Sequence, residues 1–114
     1  MEIPRRMNWN AFRICIGPAP QQWLDIADEA GLLLQWEFPI WSDREATATK
    51  QQRHELWKQD DIIEQAREFM RDNWNHPSVA IWDATNESWL PQFTSTIIPA
   101  VRNLDLSNRP WENS

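Results

Sequence analysis

The sequence predicts an α/β fold in which parallel β-strands alternate with α-helices. Short, nearly continuous apolar runs alternate along the chain with stripes of apolar residues at helical spacing, which is the pattern of a parallel sheet covered by helices. The chain also contains 8 prolines but only 2 glycines. So few glycines argue against an all-β fold built from tight hairpin turns.

The composition excludes several classes of protein. Of the 114 residues, 41% are hydrophobic and 25% are charged, as in a globular chain. The formal net charge of −6 predicts neither nucleic acid nor an anionic membrane as a partner. No apolar run approaches the roughly 20 residues that span a bilayer, and no secretory signal pattern is visible. Cys15 is the single cysteine, which excludes an internal disulfide and a multi-cysteine zinc site.

The first strand and the first helix are predicted near the start of the chain. Residues 10–16 have the apolar character of a strand, which Gly17-Pro-Ala-Pro20 ends. A helix is predicted from Gln21, because prolines suit its first turn and because apolar residues then recur at helical spacing, at Trp23, Ile26, Ala27 and Ala30. Gly31 follows, where a left-handed residue commonly ends a helix.

The second strand and the second helix enclose a polar segment. Residues 32–38 form a nearly unbroken apolar run, typical of a strand covered on both faces. Residues 42–53 contain almost no large apolar residue and predict a surface excursion. Asp60 and Asp61 favour a helix start through the helix dipole. The apolar stripe that follows is Ile62, Ile63, Ala66, Phe69, Met70 and Trp74, and it ends before Pro77.

The third strand and the third helix complete the predicted order. Residues 79–82 predict a strand, and a helix is predicted to begin near Ser95 or Pro99, with its stripe at Ile97, Val101 and Leu104. Residues 105–110 then form a turn that leads towards another strand, where the chain stops. The order βαβαβα leaves two open sheet edges, and no Gly-rich phosphate loop is present. We therefore expect a section of a larger barrel.

Asn86 and Glu87 stand at the carboxyl end of the third predicted strand, where parallel α/β barrels gather functional groups. On its own, this pair could also be the capped start of a helix. Residues 74–87, however, read Trp-Asn-His-Pro-Ser-Val-Ala-Ile-Trp-Asp-Ala-Thr-Asn-Glu. This stretch resembles the segment that leads to the acid/base glutamate of glycoside hydrolase family 2, which includes β-galactosidases, β-glucuronidases and β-mannosidases.

The resemblance continues along the chain. Residues 7–14 resemble the family's second barrel strand, and residues 23–34 resemble its second helix and the entry to its third strand. Residues 35–39 resemble the end of that third strand in β-mannosidase-like members, and residues 104–110 resemble the turn before the fifth strand. It implies an α/β fold that is part of a TIM (β/α)8 barrel, about strands two to four with their helices. Such barrels have about 250 residues, so we expect residues 1–114 to be a partial catalytic domain, incomplete at both ends.

The resemblance also implies a reaction. Retaining β-glycosidases use two carboxyl groups about 5 Å apart, one as nucleophile and one as acid and then base. Glu87 would be the acid/base catalytic residue, and Asn86 would donate to the sugar 2-hydroxyl. The family's nucleophile follows its seventh strand, past Ser114, so the 114 residues alone are expected to be inactive. Ile16-Gly17 replaces a histidine-containing motif of β-galactosidase-like members, so the sugar itself is not indicated.

Arg13 and Glu37 are two further candidates for the sugar site. Arg13 lies inside an apolar strand, where a charge needs a carboxylate partner. By the resemblance it orients the nucleophile, and the alternative is a structural ion pair with some other acid. Glu37 matches an acidic residue that shapes the sugar pocket in relatives, and the alternative is a helix-cap acceptor.

The nine tryptophans either fill a hydrophobic core that is rich in tryptophan or stack on flat ligands such as sugars. Trp36, Trp41 and Trp89 lie at or just past strand ends, so we expect them to stack on sugar rings. Core positions are expected for three others, Trp23, Trp74 and Trp82. His76 is expected to be a structural turn residue, and Cys15 to be buried and inert.

The expected partners are a carbohydrate substrate and the remainder of the barrel. The two histidines lack metal-ligand spacing, so we expect neither a metal site nor a cofactor. Two alternatives to a glycosidase remain at this stage. One is a carbohydrate-binding protein with the same barrel but without competent carboxylates, and the other is a free-standing α/β interaction domain.

Overall fold

The computed structural model describes residues 3, 6–17, 19–41, 58–88 and 91–113, so the excursion predicted for residues 42–53 lies outside the described residues. Four strands form one sheet, in the order β1 (Ala11–Ile14), β2 (Leu33–Glu37), β3 (Val79–Asp83) and β4 (Trp111–Glu112). All neighbouring strands are parallel. The α/β prediction is therefore confirmed, and the expected turn leads into a fourth strand within the chain.

Helix α1 (Gln22–Ala30) connects β1 to β2 and ends as predicted. Gly31 adopts a left-handed conformation with a φ of 67°, and its backbone N–H is bonded to the carbonyls at the end of the helix. β1 is shorter than expected. It ends at Ile14, and the left-handed φ of 61° at Ile16 turns the chain out of the sheet.

The buried face of α1 differs from the predicted stripe. Leu24 and Ala27 are fully buried, whereas Trp23 and Ile26 are 46% and 43% exposed. The core position expected for Trp23 is therefore wrong. The helix is rotated so that the carboxylate of Asp28 reaches the segment before β3, which periodicity within one helix cannot reveal.

The contact between Asp28 and this segment is a set of hydrogen bonds. Asp28 accepts from the backbone N–H of Ser78 at 2.8 Å, and its second oxygen lies 2.7 Å from His76 Nδ1. Partial burial opposes ionisation, but these hydrogen bonds hold the pKa of Asp28 below its ordinary value. His76 is thus a structural turn residue, as predicted.

Helix α2 (Gln59–Asn73) connects β2 to β3 and packs as expected. Asp60 and Asp61 lie in its first turn, and its buried apolar residues are Ile62, Ala66, Phe69 and Met70. The register between β2 and β3 shifts between Leu34 and Gln35, so that Leu34 lies opposite Val79 and Trp36 opposite Trp82. This irregularity places Val79 and Trp82 together on the helix-covered face, although only two residues separate them and strict alternation would put them on opposite faces.

The last helical segment begins earlier than predicted. Residues 91–92 are already helical, and a π-helix (Phe93–Ile97), helix α3 (Ile98–Val101) and a 3-10 turn (Arg102–Leu104) follow. Pro99 has no N–H to bond to an earlier carbonyl, which favours irregular helix geometry before it. Ile97 and Val101 are buried as expected, but Leu104 is 37% exposed, because the tighter 3-10 turn rotates it away from the core.

The core lies between the sheet and the helices, with Trp82 near its centre. Trp82 is fully buried, meets the ring of Phe69 edge-on and stacks on Trp111 at 6.0 Å between ring centroids. Its indole N–H donates to Asp105 at 2.9 Å. Trp82 is thus a core residue as predicted, and Trp74 packs against the core while half-buried. Among the described residues, no helix is both long and apolar enough to cross a membrane.

Candidate functional site

The face of the sheet opposite the helices carries a polar cluster towards the carboxyl ends of the strands. We call it the strand-end cluster and define it by the side chains of Arg13, Gln35, Glu37, Asp83 and Asn86. Strand pairing explains why they meet, because Arg13 lies opposite Gln35 and Glu37 lies opposite Asp83. Side chains alternate along each strand, so all four strand residues share one face.

Arg13 is the centre of the strand-end cluster. Its Nη2 donates to Glu37 Oε2 at 3.0 Å and to Asn86 Oδ1 at 3.1 Å. Its Nε lies 2.8 Å from Asp83 Oδ2. Burial opposes the charge, but the two carboxylates outweigh it and raise the pKa of Arg13 above its ordinary value. Arg13 was predicted to need a carboxylate partner, and among the described residues it has two, Glu37 and Asp83.

Glu37 is 1% exposed and anchored at both carboxylate oxygens. Oε2 accepts from Arg13, and Oε1 accepts the backbone N–H of Ile16 at 2.6 Å. A φ of 61° is unusual for a β-branched residue such as Ile16, and here it directs the amide towards Glu37. Glu37 is therefore part of the cluster and does not cap a helix in the described part of the chain.

The sequence reasoning missed two members of the cluster, Gln35 and Asp83, and Asp83 is the charged one. It is completely buried, and its Oδ2 also accepts from Gln35 Nε2 at 2.7 Å. Burial raises the pKa of Asp83 above its ordinary value, against the opposing effects of Gln35 and Arg13. The available signal was an acidic residue directly after an apolar strand, four positions before Glu87.

Asn86 is the member of the cluster that follows β3, and its backbone continues the strand pairing. Its backbone N–H donates to the carbonyl of Ile40 at 2.9 Å, and it forms an isolated parallel bridge with Trp41. Its side-chain oxygen accepts from both Arg13 and Cys15, the latter at 3.3 Å. The prediction that Cys15 is buried is wrong, because β1 ends at Ile14, two residues before the predicted strand end, and Cys15 is exposed beside Asn86.

Glu87 follows Asn86, past the carboxyl end of β3, and is exposed to solvent. Its φ of 51° lies in the left-handed region, which non-glycine residues seldom adopt and which is enriched at functional sites. The structure therefore brings Arg13, Glu37 and Asn86 into direct contact. It places Glu87 beside them in the chain, with its carboxyl group accessible.

The tryptophans predicted to stack on sugars have different surroundings. Trp36 is 1% exposed and packs in the core, so the prediction that it stacks on a sugar ring is wrong. The reason is strand alternation, which turns Trp36 to the helix-covered face while Glu37 faces the cluster. Trp41 is 41% exposed beside Asn86, and Trp89 lies outside the described residues.

The cluster can hold polar groups but offers no evident metal centre. In the described part of the chain, no group of three or more His, Cys, Asp or Glu side chains is arranged to bind a metal ion. The groups present can donate hydrogen bonds from the Asn86 amide and the Arg13 guanidinium, and the exposed residue Glu87 carries a carboxyl group.

Comparison with known proteins gives a consistent result. Residues 1–112 match the family model described as "Glycosyl hydrolases family 2, TIM barrel domain". Among curated proteins, the chain is 30% identical over 114 residues to the beta-galactosidase BgaC of Bifidobacterium adolescentis. This match covers 93% of the chain and 11% of the relative, so the chain spans about a tenth of the length of that protein.

Solved structures with the same arrangement include two β-glucuronidases. The enzyme of Ruminococcus gnavus superposes with a TM-score of 0.76 at 25% identity, covering 96% of this chain and 20% of that one. The enzyme of Lactobacillus rhamnosus superposes with a TM-score of 0.70 at 27% identity, covering 98% of this chain and 20% of that one. The four-stranded sheet thus corresponds to part of a TIM barrel.

Proposed function

The chain belongs to glycosyl hydrolases family 2, and from this premise we propose that it supplies the acid/base glutamate, Glu87, of a retaining β-glycosidase. The observation that carries the proposal is the position of Asn86 and Glu87 at the carboxyl end of β3, with the Asn86 side chain bonded to Arg13 at 3.1 Å. Barrel enzymes assemble their active sites at this end of the strands.

The proposed reaction divides between two steps. In the first, the carboxylic acid of Glu87 protonates the glycosidic oxygen while a nucleophilic carboxylate attacks the anomeric carbon, and the C–O bond to the leaving group breaks. In the second, the carboxylate of Glu87 removes a proton from water, whose oxygen attacks the anomeric carbon and displaces the enzyme carboxylate. Two displacements retain the β configuration.

The neighbouring residues bind the sugar in this proposal. The Asn86 side-chain oxygen is occupied by Arg13 and Cys15, so its NH₂ group is the part that donates to the sugar 2-hydroxyl. Exposed Trp41 offers a ring face for stacking at the same edge. Glu37 holds Arg13 in place. Trp89 remains a proposed stacking residue from its position in the sequence.

The nucleophile is proposed to come from a later strand of the barrel. In the cluster, both carboxylates are bonded to Arg13, and neither side chain has any exposed surface. A buried carboxylate that is paired with a cation is a poor nucleophile for an incoming sugar. We therefore propose that residues 1–114 by themselves do not hydrolyse glycosides.

The test replaces Glu87 with Ala in the complete enzyme. Hydrolysis of substrates with poor leaving groups should fall by roughly 10² to 10⁴, because these substrates need the proton most. For an aryl glycoside with a very acidic phenol, the first step should survive and the glycosyl-enzyme should accumulate. Added azide needs no base, so it should restore turnover and give the β-glycosyl azide with retained configuration.

A matched control separates the acid/base role from general damage. Glu64→Ala removes an exposed carboxylate on α2 and should leave both substrate classes unaffected. An α-azide product would make Glu87 the nucleophile. Equal losses for both leaving groups, without azide rescue, would contradict the proposal. Saturable sugar binding without any hydrolysis by the unmodified enzyme would instead establish a carbohydrate-binding protein with this barrel.

A further inference from the structure

We propose that Asp83 is a positioning residue of the glycosidase site, which acts through Arg13 to fix the orientation of the Asn86 side chain. This inference rests on the proposed function of Asn86 and Glu87, and it concerns a residue that touches neither the sugar nor the reacting atoms. The evidence is a continuous set of short contacts from Asp83 to Asn86.

The contacts run through the guanidinium group. Asp83 Oδ2 lies 2.8 Å from Arg13 Nε, and Arg13 Nη2 donates to Asn86 Oδ1 at 3.1 Å. A guanidinium is planar and rigid, so a carboxylate held at Nε sets the direction of the Nη2 donor. If the Asn86 amide turned over, its NH₂ group would face the Arg13 donors, which is unfavourable. Asp83 thereby helps keep the NH₂ group directed away from Arg13.

The second acidic residue of the cluster is anchored differently. Glu37 also accepts the backbone N–H of Ile16 at 2.6 Å, so its position does not depend on Arg13 alone. Asp83 Oδ1 is buried and has no hydrogen-bond partner among the described residues. Gln35 and Arg13 both bond to the other oxygen, Oδ2. The position of the Asp83 carboxylate therefore rests on the contacts of Oδ2 alone.

The contact between Asp83 and Arg13 depends on pH because of the charges around Asp83. The charged groups that face it are Arg13 on β1, Glu37 on β2 and Glu112 on β4. Burial raises the pKa of Asp83, and the two nearby carboxylates act in the same direction. Asp83 should thus take up a proton at a higher pH than an ordinary aspartate. Its contact with Arg13 then weakens, because hydrogen bonds to neutral acceptors are weaker than those to charged ones.

The experiment compares Asp83→Asn with the unmodified complete enzyme. Asparagine keeps the shape and the acceptor oxygen but removes the charge. We expect an unchanged melting temperature within a few degrees and a roughly tenfold fall in kcat at neutral pH. KM should change less, since the contact of Asn86 with the 2-hydroxyl strengthens in the transition state. When kcat/KM is plotted against pH, the fall on the acid side should become less steep, because the asparagine of the variant cannot take up the proton that Asp83 takes up.

A second variant tests the same residue through its neighbour. Gln35→Met removes the hydrogen bond that lowers the pKa of Asp83, so the acid limb should move to higher pH. In the Asp83→Asn background the same change should have no such effect. If Asp83→Asn fails to fold, the shift produced by Gln35→Met decides the question. Glu64→Gln, which removes one exposed charge on α2, is the control.

Two results would overturn the inference. One is an Asp83→Asn enzyme with the unmodified pH profile and kcat, which would leave Asp83 as a packing residue only. The other is a Gln35→Met shift that persists without Asp83. Both are distinguishable from failure of the proposed function, because the leaving-group and azide responses of Glu87→Ala are measured separately on the same enzyme.

Discussion

Replacing Arg13 with Met should destabilise the protein strongly, because two buried carboxylates depend on this one cation. Methionine preserves much of the aliphatic length of arginine but removes the guanidinium. Glu37 and Asp83 have no exposed side-chain surface, while the Arg13 side chain is 34% exposed. The variant thus leaves two buried acidic groups side by side, as strand pairing places Glu37 opposite Asp83.

The expected magnitude follows from the burial of the two carboxylates. Removing one partner of a buried ion pair costs about 3–5 kcal/mol, because the other charge remains buried without compensation. For a barrel domain of about 250 residues, each kcal/mol lowers the melting temperature by roughly 2–4 °C. The product is a fall of roughly 6–20 °C at neutral pH.

The loss should also depend on pH in a defined direction. Without Arg13, burial and the nearby Glu37 charge raise the pKa of Asp83 in the folded state above its value in the unfolded chain. Folding then takes up protons, so the destabilisation is largest at high pH and is relieved as the pH falls. Removing one of the two charges, in Arg13→Met/Asp83→Asn, should recover part of the lost stability at neutral pH.

The assay is thermal unfolding of the complete protein, followed by circular dichroism at several pH values between about 5 and 8. Arg67→Met is the matched control, because Arg67 forms an exposed pair with Glu64 on α2 at 3.2 Å and such pairs contribute less than about 1 kcal/mol. The reasoning is refuted if Arg13→Met melts within about 2 °C of this control at pH 8, or if its deficit grows on acidification.

Two further predictions concern the scaffold that positions the site. Asp105→Ala should cost about 3 kcal/mol, since Asp105 accepts from Trp82, Ser107 and Arg109 and the buried indole N–H would lose its partner. Its hydrogen bonds lower the pKa of Asp105 below the ordinary 3.8 although the residue is buried. Its contribution to stability is therefore present above about pH 4, and the deficit of the variant in thermal melts should shrink below that pH. Gly31→Ala should cost about 1 kcal/mol, because φ is 67° and no atom lies within 4 Å of an added Cβ. Gly31→Asn should lose less in the same melts, as asparagine tolerates this conformation.

The sequence by itself determined the order of the first six elements and indicated where to look for a candidate site. Apolar runs and helical stripes indicated the first three strands and the three helices, because these periodicities arise from local backbone geometry. Gly31 indicated a helix end for the same local reason. Asn86 and Glu87 were placed at a strand end, and a charged residue within an apolar strand showed that Arg13 needs an acidic partner.

Only the tertiary structure decided which residues meet. Asp83 joins the cluster because the register of β2 and β3 places it opposite Glu37, and register depends on pairing between distant segments. Trp36 is buried for a related reason, since strand alternation and sheet pairing together select the face that it occupies. Cys15 is exposed for a different reason, because β1 ends at Ile14 and the chain leaves the sheet before it reaches the predicted strand end.

The rotation of α1 shows the same division between local and long-range information. Its amphipathic pattern allowed a stripe with Trp23 and Ile26, yet both are exposed and Leu24 is buried. The contact of Asp28 with Ser78 and His76 spans about fifty positions in the sequence. Helix formation is a local property, whereas the orientation of a helix on a sheet is set by side chains that the chain brings together only when it folds.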